Sequence, residues 1–225
     1  MEKASVKPRA RLTTPNAAAV AGILFSVLII ISIVLIRMSV PDDLMETGGW
    51  LSESGKTVSL ALNLVPFAGI AFLWFIGVVR DRLGEYEDRF FATVFLGSGL
   101  LFLAMMFVSA ATAGGLISIY MIGSGVPIDP AIYKYGRSTT YQIMNVYTIK
   151  MAGVFMISTC TLALRTEIFR RWMAYLGLVL ALFLLLSFGF SYWAILVFPL
   201  WVLLISLHIL TTNLGRSKSE LPQEA

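Results

Sequence analysis

The sequence is poor in charged residues, cysteine and histidine. Only 13% of its 225 residues are Asp, Glu, Lys or Arg, about half the share of an ordinary soluble domain. The single cysteine, Cys160, excludes an intramolecular disulfide and a cysteine-cluster metal site. The adjacent pair Asp42 and Asp43 is too small a set of ligands for a metal. We therefore expect neither a metal nor another cofactor.

Apolar residues make up 58% of the chain and are concentrated in long runs. Runs of about 18 or more residues with few charges predict helices that cross a bilayer. We therefore predict an all-α fold, a polytopic transmembrane helix bundle with six spans. The predicted spans are 17–37, 57–79, 90–113, 140–164, 172–188 and 190–212, flanked by cytoplasmic tails at 1–16 and 213–225.

The fifth and sixth spans share one uncharged stretch, from Trp172 to Leu210. As a single helix this stretch would be about 58 Å long, whereas the hydrocarbon core of a bilayer is about 30 Å thick. The chain must therefore fold back. Gly189, between Ser187 and Ser191, is the predicted position of a tight hairpin.

The distribution of basic residues predicts the orientation. With the N-terminus in the cytoplasm, most of the 17 lysine and arginine residues fall in cytoplasmic segments. Those outside are Arg37, Lys56, Lys134 and Arg137, and Lys150 falls within a span. This asymmetry favours an even number of spans with both termini in the cytoplasm. It also accounts for the net charge of +4, so we expect the lipid bilayer and no nucleic acid as a partner.

Lys150 is the most informative single residue, because a charge inside a membrane is costly and needs compensation. One interpretation is that Lys150 lines a polar cavity and binds or passes a small anionic or lipid-like ligand. The alternative is structural, with Lys150 bonded to carbonyl or hydroxyl groups of neighbouring helices. The fourth span is rich in polar residues, which predicts a central position in the bundle. The predicted ligand-binding residues are Lys150, Asn145, Tyr147 and Asn63.

Two further hypotheses remain open. The chain could be a non-catalytic accessory or scaffold subunit that packs against membrane-protein partners or against copies of itself, through small residues such as Gly97 and Gly99. It could also be an intramembrane serine hydrolase that pairs Ser98 with His208, although no supporting motif is present. We expect the chain not to be an enzyme.

Two segments carry a resemblance to known proteins. Asn63–Gly84 (NLVPFAGIAFLWFIGVVRDRLG) and Glu87–Phe102 (EDRFFATVFLGSGLLF) resemble segments of uncharacterised multi-pass membrane proteins of bacteria, particularly actinobacteria. The resemblance covers less than half of the chain and carries no activity. It implies a bacterial plasma membrane.

Overall fold

The computed structural model describes residues 14–43, 46–83, 89–123, 125–166, 170–187 and 193–219, and the regular structure in these residues is helical. A π-helical turn, Ile143–Thr148, joins α4 to α5, and a 3₁₀ turn, Ala194–Leu196, precedes α7. The α-helices are α1 (Thr14–Ser39), α2 (Trp50–Leu83), α3 (Arg89–Ile122), α4 (Pro130–Gln142), α5 (Ile149–Thr166), α6 (Arg171–Leu186) and α7 (Val197–Ser219).

Five helical stretches in the described residues are long and apolar enough to cross a membrane. The 16-residue helix α6 is apolar but shorter. The all-helical fold class is confirmed, and the helices are those of a multi-pass membrane protein. The five stretches are Ala17–Ser39, Trp50–Arg80, Ala92–Ile122, Pro130–Arg165 and Ala194–Thr212.

Helices α1 to α4 extend beyond the apolar runs on the predicted outer side, whereas α6 ends at Leu186, before the predicted end at 188. Helix α4 begins at Pro130, ten residues before the predicted start of the fourth span, 140–164. The side chain of Asp129 accepts hydrogen bonds from the backbone N–H groups of Ala131, at 2.8 Å, and Ile132, at 3.3 Å. An aspartate N-cap followed by proline at the first helical position is a favourable helix start. Hydropathy missed it because this first part of the helix is polar.

The predicted break between the fifth and sixth spans is confirmed. Helix α6 ends at Leu186, and the next described helical turn begins at Ala194. Gly189 and Ser191 themselves lie outside the described residues. Helix α7 continues to Ser219, past the predicted boundary at 212, so the start of the predicted C-terminal tail is helical.

The helix formed by α4, the π turn and α5 is the most buried of the five. In its apolar part 61% of the residues are buried, against 39–44% in the other four stretches. It packs against α3 and α6, while α1 packs most extensively on α2 and α7. The central position predicted for the fourth span is thus confirmed.

The core is a cluster of aromatic rings centred on Phe72 of α2. The centroid of the Phe72 ring lies 4.7 Å from that of Phe25 on α1 and 5.2 Å from that of Phe102 on α3. It lies 5.2 Å from Phe155 on α5 and 5.7 Å from Phe198 on α7. The side chain of Phe72 therefore packs against the aromatic rings of four other helices.

Candidate functional site

A cavity of about 200 Å³ lies between α1, α2, α3 and the α4–π segment. It is larger than the ~150 Å³ apolar cavity that holds a benzene molecule. The wall is mostly apolar, and its charged residues lie where the C-terminal end of α1 meets the start of α2 and of α4. The residues at this mouth are Arg37, Pro41, Asp42, Trp50, Tyr133 and Arg137, and those deeper inside include Ile29, Ser32, Val65, Met106, Ser109 and Asn145.

The mouth is organised around the hydroxyl of Tyr133, a residue that is only 1% exposed. Trp50 Nε1 donates a hydrogen bond to this hydroxyl over 2.8 Å. The hydroxyl in turn donates to Glu46 Oε2 over 3.1 Å, and Arg137 Nη1 donates to it over 3.3 Å. Tyr133 therefore connects α4, the start of α2 and the segment that precedes α2.

The segment that precedes α2 is held by Arg137 and Glu46. Arg137 forms an ion pair with Glu46 at 3.6 Å and donates a hydrogen bond to the carbonyl of Pro41. The carboxylate of Glu46 accepts from the backbone N–H groups of Gly48, at 2.9 Å, and Gly49, at 2.6 Å. Gly48 has φ = +96°, a conformation that favours glycine. Both terminal nitrogens of Arg137 therefore have partners.

Arg37 is held more loosely. Its guanidinium faces Asp42 at 3.3 Å, and the two side chains are 22% and 70% exposed, respectively. An ion pair with one so exposed partner contributes little stability. The Asp42 carboxylate therefore contributes little to the position of Arg37.

The π turn places Asn145 in the wall of the cavity. Its side-chain Nδ2 donates to the carbonyl of Tyr141 over 3.0 Å, and in the same turn Thr148 Oγ1 donates to the carbonyl of Ile143 over 2.9 Å. Both side chains are buried. Single π turns inside α-helices occur frequently at functional sites.

Lys150 does not line this cavity. Its Nζ donates to the carbonyls of Leu184 at 3.2 Å, Ser187 at 2.7 Å, and Leu185. These carbonyls are at the C-terminal end of α6, where helical carbonyls lack partners within the helix and a positive charge is favourable. The contacts are those of the structural alternative, in which a neighbouring helix compensates the lysine.

The four predicted ligand-binding residues are not brought together. Asn145 lines the cavity, whereas Lys150 contacts α6. Tyr147 is 57% exposed, and Asn63 is exposed on α2. In a bundle surrounded by lipid, these last two side chains lie on the outer surface. A ligand-binding role for any of the four stays a prediction.

Ser98 and His208 share no hydrogen bond in the described part of the chain. The hydroxyl of Ser98 donates within its own helix, to the carbonyl of Val94 at 2.6 Å and that of Phe95 at 3.1 Å. Its proton is thus bonded to backbone oxygen and not to a base, which nucleophilic catalysis would need.

The residues that organise the mouth were not among the predicted site residues. Arg37 and Arg137 were predicted only as positive charges outside the membrane, Tyr133 only as a tyrosine suited to the membrane interface, and Trp50 was not predicted to have a role. A signal was present, since Tyr133 and Arg137 are four residues apart and share one face of a helix. This spacing indicates a shared face only if both residues are helical, which requires that the helix begins at Pro130.

Compared with protein-family models, curated proteins and solved structures, the chain shows no significant match to any of them.

Proposed function

We propose that the chain is a six-span, non-catalytic protein of a bacterial plasma membrane that binds a lipid-like, anionic amphiphile in the cavity between α1, α2, α3 and α4. The observation that carries the ligand proposal is the division of this cavity into an apolar interior and a polar mouth. Both termini are cytoplasmic in this proposal, and the mouth faces outward.

Helix α6 supplies the sixth span. Its 16 residues rise about 24 Å, somewhat less than the ~30 Å core. It packs along α5, and Lys150 binds its outer end. A short span is accommodated by local thinning of the bilayer or by polar side chains near its end. The even count agrees with the excess of basic residues at the segments assigned to the cytoplasm.

The lengths of the helices support a mouth at the outer edge of the bilayer. The stretches Trp50–Arg80 and Ala92–Ile122 each contain 31 residues and are therefore about 46 Å long, well beyond the ~30 Å core. Some of this excess can be taken up by tilt. The rest extends α2 and α3 past the bilayer on the side where Trp50 and Tyr133 lie, so a polar head group would meet the mouth at the water interface.

The chemistry of the wall favours an amphiphile over a small hydrophilic anion. A hydrophilic ligand would leave its polar groups unpaired against Ile29, Ile33, Val65 and Met106, which is costly. An alkyl chain instead gains from burial in this interior. A carboxylate or phosphate head can then exchange with the exposed Asp42 on Arg37.

A cavity-filling variant tests the proposal. Ala113 of α3 lines the cavity, and Ala111, two residues earlier on the same helix, is exposed on the outside. Ala113→Phe should fill the cavity and lower the affinity for octanoic acid at least tenfold, whereas Ala111→Phe should bind like the parent. Native mass spectrometry of the detergent-purified chain with octanoic acid measures both.

The accessory-subunit hypothesis predicts that filling the cavity does not change the affinity for octanoic acid. If the parent and both variants bind octanoic acid equally weakly, the cavity is not a ligand site. Co-purification of another membrane protein that Ala111→Phe disrupts, and Ala113→Phe does not, would then support packing through the outer surface.

A further inference from the structure

Asn145 gives the cavity a chemical preference in addition to its shape. The residue is only 6% exposed and lies in the wall. Because its Nδ2 donates to the carbonyl of Tyr141 at 3.0 Å, the orientation of the amide is fixed, with Oδ1 as the remaining acceptor. Within the described residues, Oδ1 accepts no hydrogen bond.

Asn145 Oδ1 is accessible and not fully enclosed by protein. In the described part of the chain, the fully enclosed side-chain polar atoms that lack a partner are Trp201 Nε1 and Ser206 Oγ. Asn145 Oδ1 also makes no hydrogen bond, but it is not one of these enclosed atoms and therefore has some accessible surface. Because Asn145 lines the cavity, a ligand in the cavity can approach this residue.

The neighbouring polar groups are acceptors as well. Ser109 Oγ donates its proton to the carbonyl of Thr140 at 3.1 Å, and Thr140 Oγ1 donates to Gly136 at 2.8 Å. On the opposite wall, Ser32 Oγ donates to the carbonyl of Ala61 at 2.7 Å. With each hydroxyl proton already committed, the oxygens that remain can only accept. These three hydroxyl groups therefore offer no proton to Asn145 Oδ1.

We propose that the occupant of this cavity carries a hydrogen-bond donor, such as a hydroxyl group, on its apolar body, and that this group donates to Asn145 Oδ1. This inference rests on the proposed ligand function and specifies it: the ligand class is a hydroxylated amphiphile with an anionic head. An unpaired acceptor in apolar surroundings is costly to bury, and a ligand donor removes that cost. By helical rise, Asn145 lies about 12 Å along the helix from Arg137 at the mouth, so the donor belongs to the far part of the ligand and not to its head.

The test compares octanoic acid with monohydroxylated octanoic acids whose hydroxyl is near the head, in the middle or at the end of the chain. Binding to the full-length protein in detergent is measured by competition in native mass spectrometry. One isomer with the hydroxyl distant from the head should bind about fivefold more tightly than octanoic acid, the factor typical of one neutral hydrogen bond. Asn145→Leu should abolish this preference while octanoic acid still binds. Asn63→Leu, on the outer surface of α2, should retain it.

The possible failures are distinguishable. If octanoic acid binds and no hydroxylated isomer binds more tightly, the inference about Asn145 is overturned and the ligand site stands. If none of the acids binds, the ligand site and the inference are both overturned. A preference that persists in Asn145→Leu also overturns the inference. Should that variant fail to fold, the comparison of isomers on the parent protein decides alone.

Discussion

Replacing Lys150 by methionine should destabilise the protein, although it removes a charge from an apolar environment. By helical rise Lys150 lies about 22 Å from Arg165, near the end of the same helix that the proposed topology assigns to the cytoplasm. This places it roughly 8 Å from the outer edge of a ~30 Å core. The same rise separates Arg171 from Leu186, so the end of α6 lies at the depth of Lys150 and receives its three hydrogen bonds.

Two opposing terms set the magnitude. Hydrogen bonds between helices in membranes contribute about 0.6 kcal/mol on average and at most about 1.7, so three of them contribute roughly 2–5 kcal/mol. Removing the charge returns part of the ~2.5–3.5 kcal/mol that a lysine costs at the centre of a bilayer, and less than that near its edge. We therefore expect Lys150→Met to lower the free energy of unfolding by about 1–3 kcal/mol.

Unfolding by sodium dodecyl sulfate in mixed micelles measures this loss, and hydrogen exchange locates it. Exchange should increase at the backbone amides of Leu184–Ser187, because the end of α6 loses the hydrogen bonds from Lys150 that hold it. Lys134→Met is the matched control, because Lys134 is exposed on α4 and should change stability by less than ~0.5 kcal/mol. If Lys150→Met is as stable as the parent and exchange at the end of α6 is unchanged, the assigned role of Lys150 is wrong.

Two further variants test the core and the mouth. Phe72→Ala should lower the free energy of unfolding by about 3–5 kcal/mol, since it removes the ring at the centre of the aromatic cluster. Phe67→Ala on the same helix, at a side chain that is 63% exposed, should lower it by less than ~1 kcal/mol. Equal losses in the same unfolding assay would contradict a core centred on Phe72. Arg37→Gln should weaken binding of octanoic acid about tenfold, the effect of losing one charge-assisted hydrogen bond, and leave binding of 1-octanol unchanged; native mass spectrometry measures both, and an equal loss for the two ligands would exclude Arg37 as the partner of the head group.

The boundaries of the helices show how far local patterns reach. The apolar runs placed the five long helices, and the length of the Trp172–Leu210 stretch required the break after α6. The start of α4 at Pro130 was also present in the sequence, as the Asp129-Pro130 pair, but hydropathy does not detect a polar first turn. The aspartate N-cap and the proline after it were sufficient to predict this helix start, whereas hydropathy was not.

The site depended on information that no single segment contains. Asn145 was predicted as a ligand-binding residue of a cavity around Lys150, and it lines a different cavity, which Lys150 does not line. Lys150, five residues later on the same helix, instead contacts α6, which is more than thirty residues away in the chain. Its compensation depends on where the partner helix ends in three dimensions, and periodicity within one helix does not encode that position.

The sequence by itself determined that the chain is built of apolar helices, because long uncharged runs leave backbone groups that hydrocarbon cannot satisfy except within a helix. Only the tertiary structure decided that α1, α2, α3 and α4 enclose a space with a polar mouth. A cavity forms where the side chains of several helices leave part of the volume between them unfilled. It follows from how their side chains fill the volume between them, and not from the pattern along any one of them.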